Sequence, residues 1–241
     1  MRFEWGSAGA AKLATSSACL VIVDVLSFTT SVTVAVDAGT RVFPYPWRDR
    51  SAADFAEQEQ AALAVGRRAV TPASPWSLSP AALRRAPFTT RLVLPSPNGS
   101  AIAAAAAAGG SMVVAGCLRN ATATGRWLAG QGLGTQERPV AVIAAGERWP
   151  DGGLRPALED LLGAGAIIAA LEKENTGLLS PEAAAARACF QAADAVSAIA
   201  ACSSGRELAA GGFAGDIATA TEIDVSDGVA VLTGAAFAAA M

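Results

Sequence analysis

The 241-residue chain contains no histidine. That absence excludes Ser-His-Asp and Cys-His hydrolases, histidine-type phosphatases and His-ligated zinc enzymes. Any chemistry must run on carboxylates, hydroxyls, arginine, lysine, a thiol or a bound hard cation. Charge is also scarce. Asp, Glu, Lys and Arg make up 16% of the chain, and 18 basic against 21 acidic residues leave a net charge of −3. No basic field for nucleic acid and no polybasic patch for a membrane follows from that balance. The four cysteines, Cys19, Cys117, Cys189 and Cys202, form no CxxC pair. They suggest neither a zinc site nor a disulfide framework and read as buried free thiols. The most tempting apolar run, AIAAAAAAGG at 101–110, is too short to cross a bilayer. The N-terminal MRFEWGSAGAAKL lacks a signal-peptide core, so the expected location is cytoplasmic.

What is abundant is apolar material, 52% of residues. A core needs no staple at this length. The abundance of alanine favours helices with small faces, which leaves room for a homo-oligomer interface. No Gly/Ser linker divides the chain. We expect one α/β domain over 1–241, with a small C-terminal lobe from about 173 as a variant of that reading.

Four segments repeat one plan of short apolar run, polar or small turn, then helix-like stretch. They are ACLVIVDVLSFTTS (18–31), RLVLPSPNGSAI (91–102), SMVVAGCLRNAT (111–122) and PVAVIAAGERWPDG (139–152). Their runs do not alternate, as expected of strands buried on both faces. Strands alternating with helices predict a layered α/β fold with a mainly parallel sheet flanked by helices. TRVFPY (40–45) is a fifth strand candidate before a helix over 51–66, and 216–223 and 229–234 are late strand candidates. Long helices are predicted over 154–171 and from Pro181 to about 203. Residues 67–90, rich in Pro and Ser with four arginines, read as an irregular insert of the kind that often serves a site.

Ligands in open parallel sheets sit beyond the carboxyl ends of the strands. There this chain places Asp24 with Ser27, Thr29 and Thr30; Ser96, Asn98, Gly99 and Ser100; Cys117, Arg119 and Asn120; and Glu147 with Arg148. Hydroxyls, amides and helix N-termini suit a phosphate. Carboxylates beside a phosphate call for a cation between them, and Mg²⁺ bound by one or two carboxylates suits the role. The bland readings stand alongside. Ser and Thr after a strand are ordinary N-caps, Asn98-Gly99 is a common turn pair, and Glu159-Asp160 could be an exposed helix face. Known phosphoryl-transfer signatures are missing. There is no GxxxxGK[ST] loop and no GxGxxG. Asp24 is followed at +2 by Leu26, not a second aspartate, and Cys117 by Ala123 at +6, not arginine.

The set VIVDVLSFTTS, SPNGS, GCLRNA and AGERWPDGGLRPALEDLLGAGAI resembles the 2-phosphosulfolactate phosphatase family over roughly residues 18–172. The resemblance implies a Mg²⁺-dependent phosphatase of α/β fold that releases phosphate from a small phosphorylated acid, 2-phosphosulfolactate, to give sulfolactate. In some organisms that is a step toward coenzyme M. It places Asp24, Thr29 and Thr30 on the family's D-V-L-R-A-T-T motif, and Asn98-Gly99-Ser100 on a T-N-G-T turn. Asn120 falls on a G-S-x-x-N-A segment, Glu159-Asp160 on an E-D pair and Ser79-Pro80 on the end of an N-S-P triplet. It also marks departures. Ser27 stands where the family commonly has Arg, Cys117 where Ser is usual, Pro97 for Thr, Leu78 for Asn, and Arg67-Arg68 in place of an acidic, glycine-rich segment. Arg119, Arg148 or Arg67 could replace the missing cation.

The resulting expectation has Asp24, Glu147 and Asp160 as catalytic groups and Mg²⁺ ligands. Ser27, Thr29, Thr30, Asn98, Gly99, Ser100, Arg119 and Asn120 hold the substrate. Either water or an aspartate is the nucleophile. A degenerate, anion-binding family member and an oligomeric scaffold are the rival readings.

Overall fold

The computed structural model describes residues 1–46, 49–108, 110–174 and 177–240. In the first half of the chain, strands β1 (Arg2–Trp5), β2 (Cys19–Val23), β3 (Arg41–Tyr45), β4 (Ala62–Leu63) and β5 (Arg91–Pro95) alternate with helices. These are α1 (Gly6–Ala14), α2 (Phe28–Asp37), α3 (Ser51–Gln58), the one-turn α4 (Pro80–Leu83) and α5 (Gly99–Ala108). Next come β6 (Met112–Gly116), α6 (Ala121–Gly130), β7 (Val140–Ala144), the short pair β8 (Glu147–Arg148) and β9 (Leu154–Arg155), and α7 (Leu158–Glu174). The chain ends with α8 (Pro181–Ala192), α9 (Ala195–Ala201), α10 (Ser203–Ala210), α11 (Ala214–Ala220), β10 (Ala230–Thr233) and β11 (Ala236–Ala239).

Nine strands form one sheet in the order β1-β7-β2-β6-β10-β11-β3-β5-β4. Parallel pairing joins β1, β7, β2 and β6 in one block and β3, β5 and β4 in another. Between the blocks sits the antiparallel hairpin β10–β11. The layered, mainly parallel α/β architecture expected from the non-alternating runs is present. β2 shows the reason, since all five of its residues are buried. Its odd positions, Cys19, Val21 and Val23, join a core beneath α6, α7 and α8. Leu20 and Ile22 join a second core with Phe28, Val32, Leu92, Leu94, Ile102 and Phe237. That second core is shared by both blocks. Gly99, the first residue of α5, hydrogen-bonds Asp24 just past the end of β2, so the turns that follow β5 and β2 meet.

Small residues set the helix spacing. A Cβ on Gly165 would lie 2.2 Å from the Ala186 carbonyl oxygen, and one on Gly163 2.7 Å from Val25. Helix α7 therefore packs backbone-close on both α8 and the end of β2.

Several predicted elements differ. Residues 216–223, rich in Ile and Thr, form no strand: α11 covers 214–220. The buried Asp216 carboxylate accepts from Arg67, Ser79 and Ala81, and these tertiary partners override β propensity. The helix predicted over 51–66 stops at Gln58, and the chain turns through Gln60 (φ 49°) to add β4 beside β5. The helix predicted from 154 starts at Leu158, because Leu154 and Arg155 pair with Arg148 and Glu147. The long helix from Pro181 is broken after Ala192, and Asp194 caps a new one by accepting from the Ser197 N–H at 3.3 Å. Strands β1 and β11 lie outside the expected elements. The stretch beyond residue 173 supplies α8–α11 and then returns its last two strands to the main sheet. Among the described residues, no helix is long and apolar enough to cross a membrane.

Candidate active site

Asp24 follows the last residue of β2 and is 6% exposed. Its Oδ1 accepts the Phe28 N–H at 3.1 Å, and its Oδ2 accepts the Gly99 N–H at 2.9 Å. One carboxylate thus caps α2 and ties it to the N-terminus of α5. Gly99 is needed for this approach, since a Cβ there would fall 2.7 Å from Asp24 Oδ2 and 2.4 Å from Phe28. Asp160, in the first turn of α7, does the same on the other side. Its Oδ1 accepts the Val25 N–H at 2.7 Å and its Oδ2 the Gly146 N–H at 2.8 Å. Gly146 holds φ +65°, and a Cβ would lie 2.7 Å from Leu154. Any residue with a side chain is therefore disfavoured at this position, and the loop turns tightly before Glu147.

Glu147 accepts from Asn98 Nδ2 at 2.9 Å. Glu159, 2% exposed, accepts from the Cys202 thiol at 3.2 Å. These two residues, with Asp24 and Asp160, form a mutually repelling group. Burial, first of all, raises the Asp24 pKa, with Glu159 adding to it, against the opposing N–H bonds and Arg67. Burial and then the Asp24 and Glu159 charges push Asp160 well above the ordinary range. Glu147 rises to about 7 through burial and then the Asp24 charge.

The arginine beside this group comes from the irregular insert. Arg67 donates through Nη2 to Ser27 Oγ at 2.7 Å and through Nε to Asp216 at 2.8 Å, and its guanidinium lies 5.7 Å from the Phe213 ring centre. The expected site residues divide accordingly. Ser27, Asn98 and Gly99 gather around Asp24 and Glu147. Thr29 Oγ1 bonds the Asp24 carbonyl at 2.9 Å, Thr30 Oγ1 the Val25 carbonyl at 2.8 Å, and Ser100 Oγ the Leu94 carbonyl at 3.1 Å. Asn120 accepts the Cys117 N–H and donates to the Gly228 carbonyl. Arg119 is ion-paired with Glu222 and Asp37. Arg148 is exposed and, among the described residues, reaches the Gly152 carbonyl alone, at 3.4 Å. The Ser27 side chain makes no cap bond, because Asp24 caps α2 in its place. Glu159 carries little signal in the sequence, visible there only as half of an E-D pair; Arg67 stands there as one of three candidate replacement cations, and nothing in the sequence singles it out from Arg119 and Arg148.

The donor set suits a hard cation. Glu147 and Glu159 each keep one oxygen with no hydrogen-bond partner among the described residues, and Asp24 and Asp160 retain lone pairs beyond their single N–H bonds. Buried carboxylates that repel one another are relieved by a divalent ion. Among the described residues, no group of three or more His, Cys, Asp or Glu side chains is placed to hold a metal. The fit is thus to an ion that binds one or two carboxylates and keeps its waters, the habit of Mg²⁺.

No curated protein matches this chain. A family model described as 2-phosphosulpholactate phosphatase matches residues 8–235. That span contains all four clustered carboxylates and Arg67. With the match covering nearly the whole sequence, the chain belongs to the 2-phosphosulpholactate phosphatase family.

Proposed function

We propose that this chain is a Mg²⁺-dependent phosphomonoester hydrolase acting on a small 2-phospho acid, with 2-phosphosulfolactate the first candidate. The observation that supports it most is the meeting of Asp24, Glu147, Glu159 and Asp160 where β2, β5 and β7 end, with the N-terminus of α2 and Arg67 beside them. Asp24 and Asp160 would hold Mg²⁺, which would neutralise the phosphoryl oxygens and orient them. Arg67, Ser27 and the remaining Asn98 N–H bind the other phosphoryl oxygens. Glu147, with its pKa raised to about 7, gives its proton to the bridging ester oxygen as the alkoxide leaves. Water is the better nucleophile here, since both Asp24 oxygens already accept N–H bonds. Thr29, Thr30, Ser100 and Asn120 hold the loops in register.

The test is phosphate release from a panel of 2-phospho acids, with Mg²⁺ and with EDTA. Mg²⁺-dependent release that disappears in Asp24→Asn, in a variant whose circular dichroism is unchanged, is the expected result. Release by Asp24→Asn at the native rate would remove the assignment.

A further inference from the structure

When Glu147 gives its proton to the bridging ester oxygen, the departing alcohol lies on the Glu147 side of the phosphate. A cavity of about 190 Å³ opens there, between α1, α5 and the β8–β9 pair, and both Glu147 and Asn98 line it. It is smaller than the roughly 300–1,000 Å³ of sites for drug-sized ligands and suits a leaving group of a few carbons. Trp5, Ile102, Ala145 and Leu154 make an apolar wall. Ile102 and Ala145 are buried, Trp5 is half-buried, and Leu154 is exposed. A Cβ on Gly6 would lie 3.3 Å from Leu154, so α1 begins directly against this side chain. Arg148 is the sole cation among the described residues that line the cavity. It forms no ion pair among the described residues and reaches the neutral Gly152 carbonyl at 3.4 Å. The neighbouring arginines are engaged elsewhere, Arg155 by Glu207 and Arg67 by Asp216.

The leaving group of a 2-phospho acid carries a carboxylate and one further substituent on the carbon that bears the oxygen. Arg148 can pair with one anion, and the carboxylate takes it. The further substituent then meets Trp5, Ile102 and Leu154. A charged group loses water there and gains no partner, whereas a methyl gains by leaving water. We propose that this cavity receives the leaving group and selects esters whose further substituent is small and apolar over those in which it is a second strong acid, such as a sulfonate. The inference rests on the phosphatase reading for the reaction and departs, within it, from the substrate that the family's name suggests.

The experiment measures kcat/KM in Mg²⁺ for esters that share the phosphate and the carboxylate and differ in the further substituent. They are 2-phospholactate with a methyl, 2-phosphoglycerate with a hydroxymethyl, and 2-phosphosulfolactate with a sulfonate. The native chain should prefer the methyl ester to the sulfonate by about tenfold or more, with the hydroxymethyl ester between them. Leu154→Arg sets a second cation on the apolar wall and should cut that preference by about tenfold, through a lower KM for the sulfonate. Ser7→Arg adds a cation from the exposed first turn of α1 and serves if Leu154→Arg does not fold, as judged by circular dichroism. A native chain that takes the sulfonate as well as or better than the methyl ester overturns the proposal and leaves the phosphatase reading in place. So does a preference that the folded variants leave unchanged. Hydrolysis of none of the three esters overturns both.

Discussion

Replacing Glu147 with glutamine tests the electrostatics of the site without any substrate. The Glu147 carboxyl rises from 4.5 to about 7 on folding, chiefly through burial and the neighbouring Asp24 charge. A folded pKa above the unfolded one means that the native state binds the proton more tightly. Stability is then full below about pH 4.5, falls as pH rises through the window to about 7, and stays reduced above it. At 1.36 kcal/mol per unit the loss is roughly 3 kcal/mol, and solvent at the partly exposed Glu147 brings it toward about 2. A glutamine side chain cannot ionise, and its amide oxygen still accepts from Asn98. In urea titrations with EDTA, Glu147→Gln should match the native chain at about pH 4 and exceed it by about 2–3 kcal/mol at about pH 8. Adding Mg²⁺ at the higher pH should stabilise both chains, since Asp24 and Asp160 are present in each. A variant no more stable than the native chain at high pH, or a difference that persists at low pH, would refute the account.

Four further outcomes follow from the geometry. Gly99→Ala pushes a methyl into Phe28 and Asp24 Oδ2; it should cost about 1–3 kcal/mol in urea unfolding and strongly reduce phosphate release. Gly165→Ala collides with the Ala186 carbonyl; it should destabilise similarly while leaving KM unchanged, because α7 and α8 meet there away from the carboxylates. Arg67→Met with Asp216→Asn removes the Ser27 contact without leaving Asp216 as an unpaired buried charge. It should raise KM about tenfold or more, the effect of losing a charge-assisted bond of about 1.5–3 kcal/mol. Arg119→Met with Glu222→Gln should leave KM within about twofold, since Arg119 is engaged away from Asp24; steady-state kinetics on both pairs separates the two arginines.

The strands were legible because runs such as VIV and VAVIA lack alternation, and in the sheet both of their faces are covered. Asp24 was legible as a charge placed where a buried strand ends. The roles of its hydroxyl neighbours were not. Thr29 and Thr30 look like phosphate ligands in sequence, but they satisfy carbonyls left open by the tight turn after β2. The sequence offers Arg67 only as one of three candidate cations; what singles it out is the docking of the 67–90 insert on α11 through Asp216. The same docking turned an Ile/Thr-rich stretch into a helix. The insertion of β10–β11 between two parallel blocks was equally invisible, since hairpin and blocks are joined only by long-range pairing.

That hairpin bears on how the chain is made. Among the described residues, the two blocks of the sheet are joined in the ladder only through residues 230–239. During synthesis, every strand of both blocks emerges before the segment that connects them. The sheet therefore closes only after that segment has left the ribosome. Until then the exposed edges of β6 and β3 are open to wrong partners, and the shared core that positions Asp24 against Gly99 is the last part of the sheet to be completed.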